Sequence, residues 1–384
     1  MLYICGMKHI RFIILLVLVF PALNIFAQAR LDRFKTHIKF LADDKLRGRD
    51  TGSEGEEMAA AYIIEEFKAA RLQAAGPDGQ WRQPFEFVAS RRAGDDCALN
   101  IAGKSLKLNT DYLVFPETGD GAFSGDAVFV GYGIQAPHIG HDDYKSAGDL
   151  KGKIVVIERG SPESDNPHSK YAEFAPLAVK IETAVKQGVA GIVFVNPNKS
   201  ELDEPKLSFS RRLSRESIPI LWLREGKAAA LNGKVISGNL RLQIDRRTGH
   251  NVVAKMDHGA PYTIVIGAHF DHLGMGTEGS LYRGEPAVHN GADDNASGTA
   301  MLIELAHSLN DQPYKRFNYV FIAFSGEERG LLGSNYFCKN PSIDLDKVSC
   351  MINFDMVGRL DKTKNTLGIN GVGTSPFWKE SLAK

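Results

Sequence analysis

Four short stretches in the C-terminal third of the sequence could do chemistry together: His269-Phe270-Asp271, Asp293-Asp294, Glu327-Glu328 and Asp355. Carboxylates gathered at one place repel one another and resist ionisation unless a cation sits among them. Divalent ions remove that repulsion and accept this nitrogen and oxygen donor set. Two ions about 3.5–4 Å apart need a bridging carboxylate, terminal ligands on each side and a base for the water between them. His269 suits a nitrogen ligand, and Asp271, two residues on, suits the partner that orients its imidazole. In the pair Glu327-Glu328 one carboxylate can coordinate metal while the other moves protons.

The elements around these residues say how they could meet. Tyr262–Ala268, Asn318–Phe324 and Val348–Phe354 are short, mostly apolar runs. Between the first two lies a helix pattern from Ala296 to about Leu309, with Leu302, Leu305, Ala306 and Leu309 as its core stripe. This alternation predicts a buried, mostly parallel α/β sheet after Asn251. Such sheets bind ligands outside the carboxyl ends of their strands. The first run leads into His269, the second into Ser325-Gly326-Glu327-Glu328, the third into Asp355, and Gly291–Asn295 opens the helix. Taken singly, each motif has an ordinary account: a capped turn, a solvated helix start or an N-cap. Asp at the end of a buried strand is harder to explain that way, because Asp is depleted in strands. All four falling at strand or helix ends is more specific than any one of them.

Upstream, Ser53-Glu54-Gly55-Glu56 reads as a capping box for a helix to about Leu72, with Ala60, Ile63, Ile64 and Phe67 on one face. Residues 96–243 change texture and are expected to form a separate mixed α/β insert. Its strands are Ala127–Gly131, Ile154–Ile157 and Ile192–Val195, with a helix over Ala172–Gln187 and no tight cluster of ligand-type residues. Residues 28–95 and 244–384 are then the two parts of the site-bearing domain. Residues 1–27, with Lys8 and Arg11 ahead of the apolar Ile13–Phe20 and a small-residue site at Ala27, read as a secretory signal peptide. The expected location is secreted or periplasmic, where one disulfide among Cys97, Cys338 and Cys350 could form.

Composition narrows the classes further. The 384 residues carry 46 basic and 46 acidic side chains, 43% hydrophobic residues and four cysteines. Without residues 1–27, which hold two basic and no acidic side chains, the net charge is −2. There is no basic excess to drive nucleic-acid binding, no second membrane-length apolar stretch and no disulfide framework. Neither a nucleophile elbow nor a Walker or Rossmann glycine pattern is present, and Ser325 reads as a loop residue. Cys338 and Cys350 lack the spacing of a thiolate zinc site. His272 and His289 read as loop hydrogen-bonders, Arg211, Arg212 and Arg215 as a solvated loop, and Asn198-Lys199-Ser200 has the form of a glycosylation sequon.

The runs AHFDHLG, NGADDNASG, FSGEERGLLGS and NFDMVGR resemble the M28 zinc aminopeptidases, and LRGRDTGSEGEE resembles that family's opening helix. FVGYGI and DLKGKIVVIERG in the insert resemble the protease-associated (PA) domain. The resemblance implies a three-layer α/β/α zinc exopeptidase fold with two zinc ions and a peptide substrate. It implies that His269 and Asp355 hold one zinc, that Asp294 bridges, that Glu328 holds the other, that Glu327 is the general base and that Asp271 stands behind the ligands. It also implies a strained or cis peptide after Asp294. The family supplies one more His to the second zinc downstream of the Asp355 position. Here 29 residues follow Asp355 and the last histidine is His307. The C-terminal part of the catalytic domain is therefore expected to be missing, with His289 the nearest substitute.

The expected function is an exported aminopeptidase that removes N-terminal residues through a water between two zincs and a glutamate base. Alternatives are a weakly active or inactive peptide-binding relative, or a glutaminyl cyclase or carboxypeptidase on the same fold. Nitrogen and oxygen ligands admit Co or Mn as well as Zn.

Overall fold

The computed structural model describes residues 28–382 apart from 164–165, 167, 196–216, 225–227, 277–278, 283, 312, 364–365 and 367. The signal-peptide reading, the sequon and Arg211, Arg212 and Arg215 lie outside the described residues. The chain divides into two compact units. One holds the chain up to Phe87 and from Thr248 onward; the other is Val88–Arg247.

The first unit is built on a sheet whose centre is Thr263–His269. That strand pairs in parallel with Asn318–Phe324 on one side and with Val348–Phe354 on the other. Register runs from Thr263 opposite Asn318 to His269 opposite Phe324, and Ala268 lies opposite Phe354. The three strands thus end almost level. The sheet as a whole is mixed, which corrects the expectation of a mostly parallel one. Leu242–Met256 pairs antiparallel with Asn318–Phe324, and Gln73–Ala74 antiparallel with Leu242–Met256. The sequence misleads here because Asn251–Ala254 is buried throughout, and a continuous buried run does not tell strand direction. Val348–Phe354 also differs from expectation. It is paired on one side only, and Met351 and Ile352 are exposed.

Alternation along the strands feeds two cores. Ile266 and Ala268 join Phe321 and Ala323 under the helices, with Ile63 and Phe67 from Glu54–Ala69 and Leu302, Ile303 and Ala306 from Gly298–Asp311. Val265, Val320, Ile322 and Phe324 point the other way and pack with Phe337 of Leu332–Lys339. Ser53 caps Glu54–Ala69 by accepting from the Glu56 amide, and Ala60, Ile63, Ile64 and Phe67 are buried as the periodicity predicts. The Gly298–Asp311 helix starts later than expected, because Ala292–Ser297 forms a π-helical turn before it. Leu302 and Ala306 are fully buried, with Leu305 and Leu309 packed partly buried against the same core.

The second unit carries an eight-stranded mixed sheet. Gly121–Phe129, Ile154–Glu158, Gly191–Val195 and Ile220–Leu223 are successive parallel neighbours. Its helix is Leu177–Lys186, shorter than the expected Ala172–Gln187. Pro176 sits at its N-cap with an extended backbone (ψ 135°), which breaks the helix there and leaves 172–174 as a separate short turn. Cys97, Cys338 and Cys350 are all free, so no disulfide forms among them. No helix of the described residues is long and apolar enough to cross a membrane.

Candidate metal centre

Level strand ends put the chemistry on one rim. Past His269 the chain carries Asp271 and His272; past Phe324 it carries Glu327 and Glu328; past Phe354 it carries Asp355. Asp294 enters from the π-helical turn, through a cis peptide to Asn295. Two groups of potential ligand atoms result, each with all its atoms within 4.8 Å of one another: His269, Asp294 and Asp355, and His272, Asp294 and Glu328. Asp294 belongs to both. Glu56, Glu57 and His250 make a third group.

The His269 ring is nearly fully buried and held by two contacts of opposite kinds. Its Nδ1 faces the carbonyl oxygen of Asp271 at 3.3 Å. That leaves Nε2 facing carboxylates: Asp294 at 3.3 Å, Asp355 at 3.4 Å and Glu327 at 3.9 Å. Burial alone lowers the His269 pKa, but the hydrogen-bonding acids Asp271, Asp294 and Asp355 overcome it and push the value up to about 12. The pocket therefore draws a cation to this spot. Contact with His269 holds Asp294 below the usual carboxylate range. Burial pushes Glu327 up, and the neighbouring acids Asp271, Glu328 and Asp355 add to that against the pull of His269. The donor set is nitrogen and carboxylate oxygen, the cluster has an excess of negative charge, and Asp294 and Asp355 stay partly open to solvent. These features fit divalent ions.

Asp271 does more than orient an imidazole. Its fully buried carboxylate accepts from the amides of Glu327 at 3.0 Å and Glu328 at 3.3 Å and from the Thr51 hydroxyl at 3.0 Å. Its nearest approach to His269 Nδ1 is 3.7 Å. One side chain thus ties the glutamate pair to the strand end that bears the histidine.

Several positioning residues were missed in the sequence. Arg49 is buried, and its guanidinium donates to the carbonyls of Phe270, Leu41, Asn290 and Gly291. Burial lowers its pKa to about 10, against the field of Asp271, Asp294 and Glu328. The Asn295 carboxamide donates to the carbonyls of His269 and Phe354 and accepts from the amides of Gly298 and Met356. Thr299 donates to the His269 carbonyl as well. The one available signal for Arg49 was Gly48 beside it. Gly48 has φ +72°, and a Cβ there would come within 2.4 Å of the Gly274 carbonyl, so the 47–49 turn presses on the loop after His272. His289, read from the sequence as a loop hydrogen-bonder, is engaged in its own loop, with Nε2 2.6 Å from the Ser280 hydroxyl and Nδ1 2.9 Å from the Ala287 carbonyl.

Comparison with known proteins places this arrangement. Residues 251–382 match Peptidase family M28, and residues 121–231 match the PA domain. Both matches agree with the resemblance drawn from the sequence, an M28 segment with a PA domain ahead of it. The M28 match takes in His269, Asp294, Glu328 and Asp355, and the PA match lies wholly within the second unit. Aminopeptidase YwaD of Bacillus subtilis is 27% identical over 324 residues, covering 77% of this chain and 64% of that protein. A probable lipoprotein aminopeptidase of Mycobacterium tuberculosis, LpqL, is 21% identical over 350 residues, covering 88% and 62%. The chain thus spans less than two thirds of the length of these curated relatives. The structure of a zinc aminopeptidase from Bacillus subtilis has the same fold, with a TM-score of 0.51 at 22% identity over 92% of this chain and 76% of that one.

Proposed function

We propose that this chain is an exported, metal-dependent M28 aminopeptidase with a two-ion centre on a three-layer α/β/α domain. The observation that carries the proposal is the shared position of Asp294 in two groups of ligand atoms, each confined to 4.8 Å. A carboxylate common to two such groups is what a bridged pair of ions requires. The aminopeptidase names of YwaD and LpqL support the substrate class. The Bacillus subtilis protein that shares the fold is a zinc aminopeptidase, which supports zinc as the metal.

His269, Asp294 and Asp355 would hold one ion, and Asp294 and Glu328 the other. Divalent ions bound there supply Lewis-acid polarisation of a peptide carbonyl and ease the ionisation of water. Glu327 is the carboxylate near Nε2 of His269 that remains free to exchange protons. It accepts a proton from the water that adds to the carbonyl carbon and returns it to the amine as the C–N bond breaks. Asp271 fixes the backbone of Glu327 and so the direction its carboxylate faces. The exposed carboxylates of the rim would attract the free α-ammonium group of a peptide.

The test is hydrolysis of an aminoacyl-nitroanilide by the zinc-loaded chain, alongside Glu327→Gln. The wild type should turn over, and the variant should keep its zinc while losing roughly 10²–10⁴-fold in kcat. Equal turnover in the two would remove Glu327 as the base.

A further inference from the structure

Asp50 and Arg329 form an ion pair at the edge of the site. Arg329 donates from Nε at 3.0 Å and from a terminal nitrogen at 2.7 Å, both to Oδ1 of Asp50. Its guanidinium also lies 5.7 Å from the centre of the Phe87 ring, a seat that suits a cation. Both side chains are mostly covered, Arg329 at 16% exposure and Asp50 at 25%. Arg329 belongs to a closed turn, in which the Glu327 carbonyl accepts from the amides of Gly330 at 2.8 Å and Leu331 at 3.0 Å. The turn hangs between left-handed residues, Gly326 at φ +71° before it and Gly330 and Leu331 at +97° and +62° at its end. On the entering side Asp271 holds the amides of Glu327 and Glu328. On the far side Arg329 ties the turn to Asp50.

Asp50 is itself well fixed. It stands between Arg49, whose guanidinium holds the carbonyls of Phe270 and Gly291, and Thr51, whose hydroxyl reaches Asp271. Gly274, at φ +61°, passes so close that a Cβ there would lie 2.8 Å from the Asp50 Cβ. We infer that Asp50, acting through Arg329, positions the base Glu327. The inference rests on the reading of Glu327 as the base. Held by Asp271 alone, the turn could rock about its two amide bonds. The ion pair adds a second point of attachment, and two points fix the direction in which the Glu327 carboxylate faces. Partly solvated pairs add little to global stability. The effect falls instead on geometry, where a misplacement of about 1 Å can cost about 100-fold in rate.

The experiment is a double-mutant cycle in the whole chain: Arg329→Gln, Asp50→Asn and both together. It is read by nitroanilide turnover with zinc and by amide hydrogen exchange without it. Each single change should lower kcat roughly 10-fold with KM within about 2-fold. Each should also speed exchange of the Glu327 and Glu328 amides roughly 10-fold. The double variant should be no worse than either single one, because the two side chains act as one unit. The single changes remove opposite charges, so kcat moving in opposite directions would reveal a field effect and overturn the positioning role. Arg329→Lys, which keeps the charge, should recover part of the loss. Unfolding midpoints should stay near the wild type; losses of kcat that track a falling midpoint would make the pair merely structural. Lys68→Gln, which breaks a surface pair with Glu65, is the control and should leave kcat and exchange unchanged. Wild-type kcat and exchange in Arg329→Gln overturn the inference, and so do additive losses in the double variant. If the wild type fails to turn over while exchange still responds to both single changes, the aminopeptidase reading fails and the Asp50–Arg329 tie stands.

Discussion

The two units of this chain are both mixed sheets with a run of parallel, buried strands, yet only one presents ligand chemistry among the described residues. The difference lies in how charge at the strand ends is answered. In the second unit Ile154–Glu158 ends in a carboxylate, and burial raises its pKa while the nearby Lys180 lowers it. Lys180 comes from the Leu177–Lys186 helix, is fully buried, and donates to the carbonyls of Tyr132 and Glu158. That unit supplies its own cation. In the first unit Asp294, Glu327 and Asp355 gather around the His269 imidazole, and the nearby Arg49 directs its donors to backbone carbonyls. On the proposed reading, a negative cluster left open in this way would take its positive charge from bound ions.

The comparison breaks most sharply at Asp294. Asp294→Ala should strip bound metal and reduce hydrolysis to background, read by elemental analysis and a nitroanilide assay; unchanged zinc content would count against a shared bridging ligand. Next comes Arg49→Met, which takes the guanidinium donor away from the buried carbonyls of Phe270 and Leu41. It should cost about 3 kcal/mol or more in denaturant unfolding, since each orphaned buried group costs about 1–3 kcal/mol. An effect below about 1 kcal/mol would show that the loop holds without it.

Lys180 sharpens the contrast from the other side. Burial lowers its pKa from 10.5 to about 8. Between those values the unfolded chain binds the proton and the folded chain does not, so stability rises with pH from about 8 to 10.5. Lys180→Met should flatten that slope and leave metal content untouched. A change in zinc uptake would mean that the second unit is not electrostatically self-contained. The smallest expected effect is Ser53→Ala, which removes the N-cap acceptor of Glu54–Ala69 and should cost about 1 kcal/mol.

What was legible in the sequence follows from where the signal lives. Strand ends show, because an apolar run gives way abruptly to His269, Ser325-Gly326-Glu327 or Asp355. The acids can therefore be placed at strand ends, on one rim, without any knowledge of the pairing. Arg49 did not show, because its partners are carbonyls, which every residue has, and they lie eight to more than two hundred positions away along the chain. Asn295 was hidden for the same reason: its carboxamide works on the backbone of His269, Phe354, Gly298 and Met356. His272 and His289 look alike on paper. Only the fold separates them, sending one ring to Glu328 and the other to Ser280.

Consider finally what in-step pairing of Thr263–His269 with its two parallel neighbours means for tolerance to change. The positions that meet are set by counting residues along hydrogen-bonded ladders, so the crossovers between strands can lengthen or shorten without moving the meeting point. A one-residue slip inside any of the three ladders, by contrast, would send that strand's last side chain to the opposite face and pull its contribution out of the cluster. Insertions in the 273–288 loop should therefore be far better tolerated than a single deletion within Asn318–Phe324.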